Sequence, residues 1–344
     1  MSVEVISPGL FTTVQDLGRY GYQRHGVHVG GVMDTLAMRV ANLLVGNEPD
    51  AAVLELTMKG PALRFQQDVL VAVCGADMQP VLGECRLRRN RPVWVQSGSV
   101  LRFGHAREGC RTYLAIAGGF DVPLVMNSRS TNVRAKFGGA WGRTLAETDR
   151  LALGKPGKKS VRLARQLQDR SVNKAYSFCE SDWFVPRSFF PYPPYPQQKD
   201  AVVRVMPGAE LAFFTAKSRH DFWTTPYQIS AQSDRMGYRL HGPELALSKP
   251  VELISSAVSS GTIQVPPSGM PIVLLADRQT VGGYPKIGHV ATVDLPILAQ
   301  LRPHDRVQFQ QVTLRDAQQA WYEREKATAE LETGIELYLG GRSK

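Results

Sequence analysis

Short runs of apolar and β-branched residues, bounded by glycine or proline, recur along almost the whole chain. Examples are VLVAVCGA at 69–76, TYLAIAG at 112–118, VVRVM at 202–206 and PIVLLA at 271–276. Such runs are typical of β-strands, because β-branched and aromatic side chains pack well on a pleated surface. The 31 glycines and 22 prolines supply the turns between them. The sequence therefore predicts a mainly β fold with a few helices.

The two halves of the sequence share an ordered set of features at an offset of about 200 residues. In both halves a Pro-Gly pair follows an alternating apolar stretch, and an apolar run ends in aspartate, at Asp77 and at Asp277. A competing register matches 113–120 with 272–284, because both segments lead into a Gly-Gly-aromatic turn. Either register indicates a gene duplication, so we expect two related β lobes.

Two segments have the pattern of helices. In DTLAMRVANLLVGN at 34–47 the apolar residues recur on one face, Asp34 suits the N-cap and Gly46 suits the C-terminal stop. From 314 to 339 strong helix formers are mixed with charged residues. We expect the second helix to be an arm packed on a lobe or a contact with another protein chain.

Proline and charge patterns divide the chain into four parts. Residues 155–200 begin with KPGKKS and end with FFPYPPYPQQKD, which favours extended polyproline geometry. We expect a semi-rigid connector there; a lid or a strip that docks a partner is the alternative. The predicted parts are an N-terminal β lobe at 1–154, this connector, a C-terminal β lobe at 201–312 and a C-terminal helix at 313–344.

Charge and composition exclude several classes of function. The formal net charge is +10, but the basic residues are dispersed and no nucleic-acid-binding motif directs them. We therefore expect anionic ligands or an acidic partner, and no nucleic acid. No secretory signal and no apolar run of about 18 residues is present, which predicts a cytoplasmic protein without a membrane span. The four cysteines and seven histidines lack metal-ligand spacing, so we expect reduced cysteines and no metal site.

The segment TTVQDLGRYG at 12–21 contains three polar side chains between turn-forming glycines. Asp16 and Arg19 have the spacing of a local ion pair, which is the structural interpretation. In the functional interpretation Gln15 and Arg19 lie at a pocket edge, where an amide and a guanidinium hold a polar substrate. Asn42 stands inside the first predicted helix, where asparagine is unfavourable. A buried structural hydrogen bond and a ligand contact explain it equally well.

A run of donors, NSRST, follows an apolar strand at 127–131. Arg129, Ser130 and Thr131 could bind an anion or a developing oxyanion together with backbone N–H groups. The alternative is a polar turn whose hydroxyl groups satisfy the local backbone.

The segment QSDRMGYRL at 232–240 contributes a further arginine. Arg235, beside a glycine-containing turn, could clamp a carboxylate or another anion through its bidentate fork. Asp234 and Arg239 are expected to form a structural pair.

The strongest candidate for a site is LLADRQTVGGYPKIG at 274–288, because binding groups commonly lie on loops that follow rigid strands. Asp277 could orient an N–H group or act as a base, Gln279 could bind an amide, and Lys286 could neutralise an anion. Gly282 and Gly283 would let the backbone approach a ligand closely. We take Asp277, Gln279 and Arg235 as candidate catalytic residues. The candidate substrate-binding residues are Gln15, Arg19, Asn42, Arg129, Ser130, Thr131, Gly282, Gly283, Tyr284 and Lys286.

Several motifs of known chemistry are missing from the sequence. GKPGKKS at 154–160 lacks the spacing of a phosphate-binding loop, and no G-x-S-x-G, H-E-x-x-H or dinucleotide motif occurs. A biotinyl-lysine motif of the A-M-K-M type is also missing. ATP and biotin, if used, are therefore expected on other chains.

Long strings of the sequence resemble the biotin-dependent carboxyltransferase-like family. They include TTVQDLGRYG, YLAIAGGFDVP, QSDRMGYRL and IQVPPSGMPIVLLADRQTVGGYPKIG, in the family's order, and the match runs from about residue 3 to about residue 320. The family contains the C subunit of 5-oxoprolinase, the KipA-type proteins and the allophanate hydrolase subunit 2-like segment of urea carboxylase. For the fold, the resemblance implies two cyclophilin-like β-barrel lobes.

For function, the resemblance implies one component of an ATP-dependent 5-oxoprolinase that hydrolyses 5-oxo-L-proline, a small-molecule substrate, to L-glutamate. The implied partners are the A and B subunits of 5-oxoprolinase, most directly the KipI-like B subunit, with ATP used by the complex. One alternative is carboxyl transfer from carboxybiotin, carried on a separate chain, to a small amide or urea. The other is a non-catalytic KipA-like regulator that binds a kinase-inhibitor protein.

Overall fold

The computed structural model describes residues 2–171, 177–193 and 200–341. The chain divides into two compact units, and each is described by itself. The first unit comprises Met1–Gly18, Asp34–Phe190 and Ala327–Lys344, and the second comprises Arg19–Met33 and Pro191–Lys326.

The first unit is built mainly of antiparallel strands. Its strands are β1 (Ser2–Ser7), β2 (Phe11–Gln15), β3 (Val53–Thr57), β4 (Ala62–Phe65), β5 (Val69–Asp77), β6 (Val81–Leu82), β7 (Cys85–Arg86), β8 (Val93–Val95), β9 (Val100–Arg102), β10 (Glu108–Ile116), β11 (Arg150–Ala152) and β12 (Phe178–Glu180). Among the described residues they form two six-stranded sheets, in the orders β11-β1-β4-β9-β6-β7 and β12-β8-β5-β10-β3-β2.

The core of the first unit lies among these strands. β5 is buried along its whole length, as its continuous apolar sequence predicts for a central strand. It pairs antiparallel with β10, and Tyr113 stands opposite Cys74 in that ladder. Apolar side chains from both sheets, such as Leu54 and Phe65, belong to one buried cluster.

Two helices pack in the first unit, α1 (Thr35–Leu44) and α2 (Lys158–Ser171). Asp34 caps α1, because its carboxylate accepts a hydrogen bond of 2.9 Å from the Ala37 N–H. α1 ends before Gly46, whose positive φ of 72° suits the position after a helix. The cap and the stop predicted for this helix are thus both present.

The second unit contains a closed barrel. Its strands are β13 (Ala201–Pro207), β14 (Tyr227–Ile229), β15 (Gly237–His241), β16 (Ser256–Ala257), β17 (Thr262–Gln264), β18 (Ile272–Leu274), β19 (Val281–Gly282), β20 (Lys286–Val290) and β21 (Arg306–Gln311). The barrel order is β13-β20-β17-β18-β15-β14-β21, while β16 and β19 form a separate two-stranded sheet. The barrel closes through a parallel pair of β13 and β21, in which Ala201 stands opposite Val307 and Val205 opposite Gln311.

Aromatic side chains fill the barrel and join one of its helices to it. The helices of this unit are α3 (Ala216–Thr224) and α4 (Leu295–Gln300). Phe222 of α3 lies over Phe309 of β21, with ring centroids 4.9 Å apart, and Tyr227 is 5.9 Å from Phe309. All three side chains are almost completely buried.

The last helix is α5 (Leu314–Gly341), and it confirms the predicted C-terminal helix. Its start is fixed by a reciprocal cap. The Thr313 N–H donates to the Asp316 carboxylate at 2.9 Å, and the Asp316 N–H donates to Thr313 Oγ1 at 3.2 Å. No helix in the described ranges is long and apolar enough to cross a bilayer.

The predicted mainly β class is confirmed, with two differences in detail. A closed barrel was expected in both lobes; it is found in the second unit, whereas the first unit carries its strands in two sheets. Part of the predicted connector, 155–200, is regular structure, because α2 lies there and β12 pairs with β8. Residues 194–199, within the proline-rich stretch, lie outside the described residues. The four-part division of the chain stays a prediction.

The barrel core predicts a large difference between two neighbouring positions of β21. Phe309 is 1% exposed, whereas Gln310 is exposed on the other face of the same strand. Phe309→Ala should lower the free energy of unfolding by about 3–5 kcal/mol, because it removes a large buried side chain and leaves a cavity. Gln310→Ala should change it by less than about 0.5 kcal/mol. Urea unfolding of both variants measures the difference; equal effects would contradict the barrel core described above.

Candidate functional site

A polar face lies on the outside of the barrel, on β17. Ile263 points into the barrel core, so its neighbours Thr262 and Gln264 point to the opposite face. Both polar side chains are nevertheless almost completely buried, at 5% and 1% exposed. Because buried polar groups need hydrogen-bond partners, the residues that cover this face are polar too.

Three groups of the predicted segment 274–288 meet Gln264. Gln279 Nε2 donates to Gln264 Oε1 at 3.1 Å, and Gln264 Nε2 donates to the Tyr284 carbonyl at 3.4 Å. A Cβ added at Gly282 would lie 2.5 Å from Gln264 Nε2. A larger residue there would displace the Gln264 amide, so the close backbone approach expected at this turn is made to the protein's own amide. The side chain of Tyr284 is 47% exposed.

Lys286 lies beside the hydrogen-bonded amides of Gln264 and Gln279, and the carboxylate of Glu210 balances its charge. Its Nζ donates to Ser256 Oγ at 2.7 Å and lies 3.8 Å from Glu210 Oε1. Its backbone N–H also donates to Glu210 at 3.1 Å. Lys286 was expected to neutralise an anion, and in this structure the anion beside it is the carboxylate of Glu210. Gly283 faces Ser255 Oγ, 3.2 Å from an added Cβ.

His289 and Arg278 continue the polar face at the Thr262 end. His289 pairs with Thr262 across β20 and β17, and its Nδ1 lies 3.3 Å from Thr262 Oγ1. Burial lowers the pKa of His289, and the nearby cation of Arg278 lowers it further. Burial also lowers the pKa of the Arg278 guanidinium, while nearby Tyr20 opposes that shift. The imidazole is therefore neutral at neutral pH.

Arg235 and Asp277 form a two-point ion pair close to these residues in sequence. Arg235 Nε lies 2.8 Å from Asp277 Oδ2 and Nη2 lies 3.1 Å from Oδ1. Nη2 also donates to the Gly31 carbonyl, and the Asp277 N–H donates to the Arg235 carbonyl at 2.9 Å. The clamp predicted for Arg235 exists, but in this structure it holds the carboxylate of Asp277.

The expected pair of Asp234 with Arg239 is not formed among the described residues. Asp234 Oδ1 instead accepts hydrogen bonds from the N–H groups of Met236, at 2.8 Å, and Gly237, at 3.3 Å. The carboxylate thus stabilises a turn, which is a common role of aspartate before a strand.

In the first unit, the carboxylate of Asp16 accepts hydrogen bonds from the segment 127–131. Its Oδ1 accepts hydrogen bonds from the hydroxyls of Ser128, at 2.7 Å, and Ser130, at 2.5 Å, and from the Gly18 N–H at 2.8 Å. Its Oδ2 accepts the Arg129 N–H at 2.5 Å. The donors proposed for an anion are therefore used by an internal carboxylate.

The side chains of Arg129 and Thr131 also have partners in the first unit. Arg129 Nε donates to the Val122 carbonyl at 3.1 Å, and Thr131 Oγ1 donates to the Val14 carbonyl at 2.9 Å. The second hydrogen bond ties the segment to β2. This geometry favours the polar-turn alternative over an oxyanion site.

Two buried amides of the first unit differ in how they are satisfied. Asn42 is structural: its Nδ2 donates to the carbonyls of Ala51, at 2.8 Å, and Pro49, at 3.3 Å, and its Oδ1 accepts from Asn47. Gln15 Nε2 donates to Thr13 Oγ1 and to the Thr131 carbonyl, both at 3.1 Å. Gln15 Oε1 is buried without a hydrogen-bond donor among the described residues.

Arg19 belongs to the second unit and is completely buried. Its backbone N–H donates to the Val29 carbonyl at 2.7 Å, which closes the loop at 19–29. The role of Arg19 at a pocket edge stays a prediction.

The structure thus brings together Gln279, Gly282, Tyr284 and Lys286, and it adds residues that sequence analysis missed. The added residues are Thr262, Gln264, Arg278 and His289. The signal for the first two was present in TIQV, where polar residues alternate with buried apolar ones. This pattern of four residues was too short to distinguish a strand from a turn. Over the described residues, no group of three or more His, Cys, Asp or Glu side chains could hold a metal ion.

Comparison with known families gives a match over most of the chain. The family model "Carboxyltransferase domain, subdomain A and B" matches residues 25–311. The C subunit of 5-oxoprolinase from Haemophilus influenzae is 36% identical over 315 residues, covering 92% of this chain and 93% of that protein. The Escherichia coli protein of the same name is 36% identical over 318 residues, covering 92% of this chain and 94% of that protein.

Solved structures of larger proteins contain a similar fold. The urea amidolyase of K. lactis superposes with a TM-score of 0.83 at 30% identity, over 95% of this chain and 20% of that one. The urea carboxylase of Kluyveromyces lactis gives a TM-score of 0.84 at 30% identity, over 97% of this chain and 29% of that one. The chain therefore spans about a fifth to a third of the length of these solved relatives.

The ion pair of Arg235 and Asp277 predicts strong energetic coupling. The side chains are only 8% and 17% exposed, so either single alanine variant removes the opposite charge that faces a poorly hydrated ion. Each should lower the free energy of unfolding by about 3–5 kcal/mol. The double variant should lose clearly less than the sum of the two, which a double-mutant cycle in urea measures.

The exposed pair of Arg306 and Asp200 is the matched control for that cycle. Its Nε–Oδ1 distance is 3.1 Å, and the side chains are 54% and 31% exposed. Coupling there should not exceed about 1 kcal/mol. Additive losses at Arg235 and Asp277 would show that the fork contributes nothing to stability.

His289 predicts a pH dependence of stability. Its pKa in the folded protein is below the ordinary value of 6.5, so the unfolded chain binds more protons as the pH falls through that value. The contribution of His289 is therefore fully present above pH 6.5 and is lost at lower pH. In His289→Gln the free energy of unfolding should fall less between pH 7.5 and pH 5 than in the wild type. His220→Gln, on the exposed surface of α3, is the control; curves of His289→Gln that run parallel to the wild type would refute the prediction.

Proposed function

The chain belongs to the carboxyltransferase-domain family, subdomains A and B, and from that premise we propose that it is the C subunit of an ATP-dependent 5-oxoprolinase. The complex would hydrolyse 5-oxo-L-proline to L-glutamate together with the A and B subunits. The observation that carries the proposal is the likeness to two proteins named as the C subunit of 5-oxoprolinase, at 36% identity over more than nine tenths of every chain compared.

Carboxyl transfer is the second candidate, and the family name favours it. Urea amidolyase of Lachancea kluyveri is 31% identical over 96% of this chain, but this covers 18% of that protein. We place carboxyl transfer second because the likeness to these longer proteins is weaker and partial. In that case the carboxyl donor would be carboxybiotin on a separate chain, since the sequence has no biotinyl-lysine motif.

The polar face of the barrel has groups suited to a lactam. A five-membered lactam presents its N–H and its carbonyl on one edge, as a primary amide does. A glutamine amide can pair with such an edge, donating one hydrogen bond and accepting another. Gln279 uses one Nε2 hydrogen on Gln264, and no described residue binds its Oε1. We therefore propose that Gln279 binds the lactam.

Asp277 and Arg235 remain candidates for the catalytic step, with a division of roles suggested by their geometry. Arg235 holds both oxygens of the Asp277 carboxylate, which fixes its orientation. Asp277 directly precedes Arg278 and Gln279 in the chain. Holding Asp277 in place therefore also fixes the backbone from which those two side chains extend. We propose that Arg235 is a positioning residue and that Asp277 orients a substrate N–H group or accepts its proton.

The partner chains are part of the proposal. Amide resonance makes a lactam carbonyl a poor electrophile, and ATP would activate it by phosphorylation of its oxygen. The chain has no phosphate-binding loop, so we propose that ATP acts through the A and B subunits. This chain would contribute substrate-binding groups to a shared pocket.

The test is formation of glutamate from 5-oxoproline by co-expressed A and B subunits, with and without this chain. We expect turnover that requires both ATP and this chain. Gln279→Ala should lower kcat/KM about tenfold or more, because it removes a bidentate contact to a polar substrate. Gln310→Ala, on the exposed face of β21, should leave kcat/KM unchanged.

Two results would contradict the proposal. A complete complex of the three chains that forms no glutamate would reject 5-oxoprolinase activity. Carboxylation of a small amide that depends on a biotin-bearing partner would establish the second candidate in its place.

A further inference from the structure

Arg278 is a half-buried cation without a carboxylate. Its Nη1 donates to the Leu275 carbonyl at 3.2 Å. Its Nε is buried and has no acceptor, and no Asp or Glu of the described residues lies within 4.0 Å of the guanidinium. One edge of the guanidinium, Nε with Nη2, therefore makes no hydrogen bond within the described protein.

This arrangement differs from that of other partly buried arginines in the same unit. Arg204 donates through Nε and Nη2 to both oxygens of Asp294, at 2.9 and 2.6 Å, and Arg235 binds Asp277 in the same two-point manner. A buried donor of a charged group without a partner is unfavourable. The edge that Arg204 and Arg235 use on aspartate has no acceptor at Arg278.

The surroundings of Arg278 do not neutralise it. The lowered pKa of His289 keeps that side chain uncharged at neutral pH, so it adds neither a counter-charge nor a second cation. Lys286, the other cation of the polar face, is already balanced by Glu210. One positive charge therefore stays available at the Thr262 end of this face.

We propose that Arg278 binds the carboxylate of a small carboxylic acid substrate through its Nε and Nη2. The inference rests on the proposed function, for which 5-oxoproline is the substrate. Thr262 and Gln264, which contact His289 and Gln279, are two residues apart on β17, so the points where His289 and Gln279 meet the strand are about 7 Å apart. Arg278 precedes Gln279 in the chain, and its charge acts on His289. In the proposed arrangement, one small ligand places its carboxylate at Arg278 and its lactam edge at Gln279.

A carboxylate fits this site better than a phosphate. A single planar guanidinium edge matches the two oxygens of a carboxylate, in the geometry seen at Asp294 and Asp277. A phosphate carries more charge, and the second cation of the face is committed to Glu210. The His289 ring is a convenient reporter, because an anion on Arg278 cancels the charge that lowers its pKa.

The experiment follows the ring protons of His289 by NMR in the full chain, with the signal assigned by its loss in His289→Gln. The probes are 5-oxoproline, acetate and inorganic phosphate. In the wild type, saturating 5-oxoproline should raise the pKa of His289. Arg278→Gln should raise that pKa without ligand and abolish the response to 5-oxoproline. Arg306→Gln, an exposed arginine of the same barrel, should behave as the wild type.

Kinetics in the assembled complex give an independent readout. Arg278→Gln should raise KM for 5-oxoproline about ten- to a hundredfold, as for loss of a charge-assisted hydrogen-bond pair, with a smaller effect on kcat. Arg278→Lys keeps the charge but not the fork and should recover part of the loss. Thermal unfolding should show that both variants are folded.

The outcomes separate this inference from the function on which it rests. No response of His289 to 5-oxoproline in the wild type, or an equal response in Arg278→Gln, overturns the assignment of Arg278. A response to phosphate but not to either carboxylate also overturns it, in favour of a phosphate site. A carboxylate response that needs Arg278, in a complex without 5-oxoprolinase activity, supports the carboxylate site and rejects only the proposed reaction.

Discussion

The two-point ion pair of Arg235 and Asp277 fixes the part of the barrel on which the candidate site depends. The two residues lie just outside the paired strands β15 and β18, and their backbones continue that ladder through the hydrogen bond from the Asp277 N–H to the Arg235 carbonyl. The side-chain fork then holds the chain where it leaves the barrel. Arg278 and Gln279 follow directly in the chain. The ion pair of Arg235 and Asp277 therefore fixes the position of their backbone, although neither residue takes part in it.

The sequence predicted the class of fold and the segment of the site better than the role of each side chain. Strand runs such as 69–77 and the capped helix after Asp34 are local signals, and local signals can be found in one sequence. The donors of 127–131 could not be assigned in this way, because their acceptor, Asp16, is more than 110 residues away in the chain. Gln264 was missed for a related reason: its importance comes from hydrogen bonds to loop groups that are 15 and 20 residues away in the chain.

Hydrogen-bond partners separate the structural from the available polar groups in this chain. Asn42 and Asp16 use their donors and acceptors inside the protein, so their removal would change folding before it changed any ligand. Gln279 and Arg278 have groups that no described residue satisfies. Composition does not reveal this distinction, since both sets consist of polar side chains. For Gln279 and Arg278, the distinction depends on how the side chains pack over the polar face of β17.

The parallel pair of β13 and β21 has a consequence for how the barrel can be joined to other sequences. Because the first and last strands run in the same direction, the chain enters the barrel at one rim, at Ala201, and leaves at Gln311, which lies beside Val205. The entry and exit points are thus about four residues, or roughly 13 Å, apart along the strands. A circular permutation that connects them would need a bridge of at least about four extended residues. A barrel closed by an antiparallel pair would bring its ends to the same rim and would need only a tight turn.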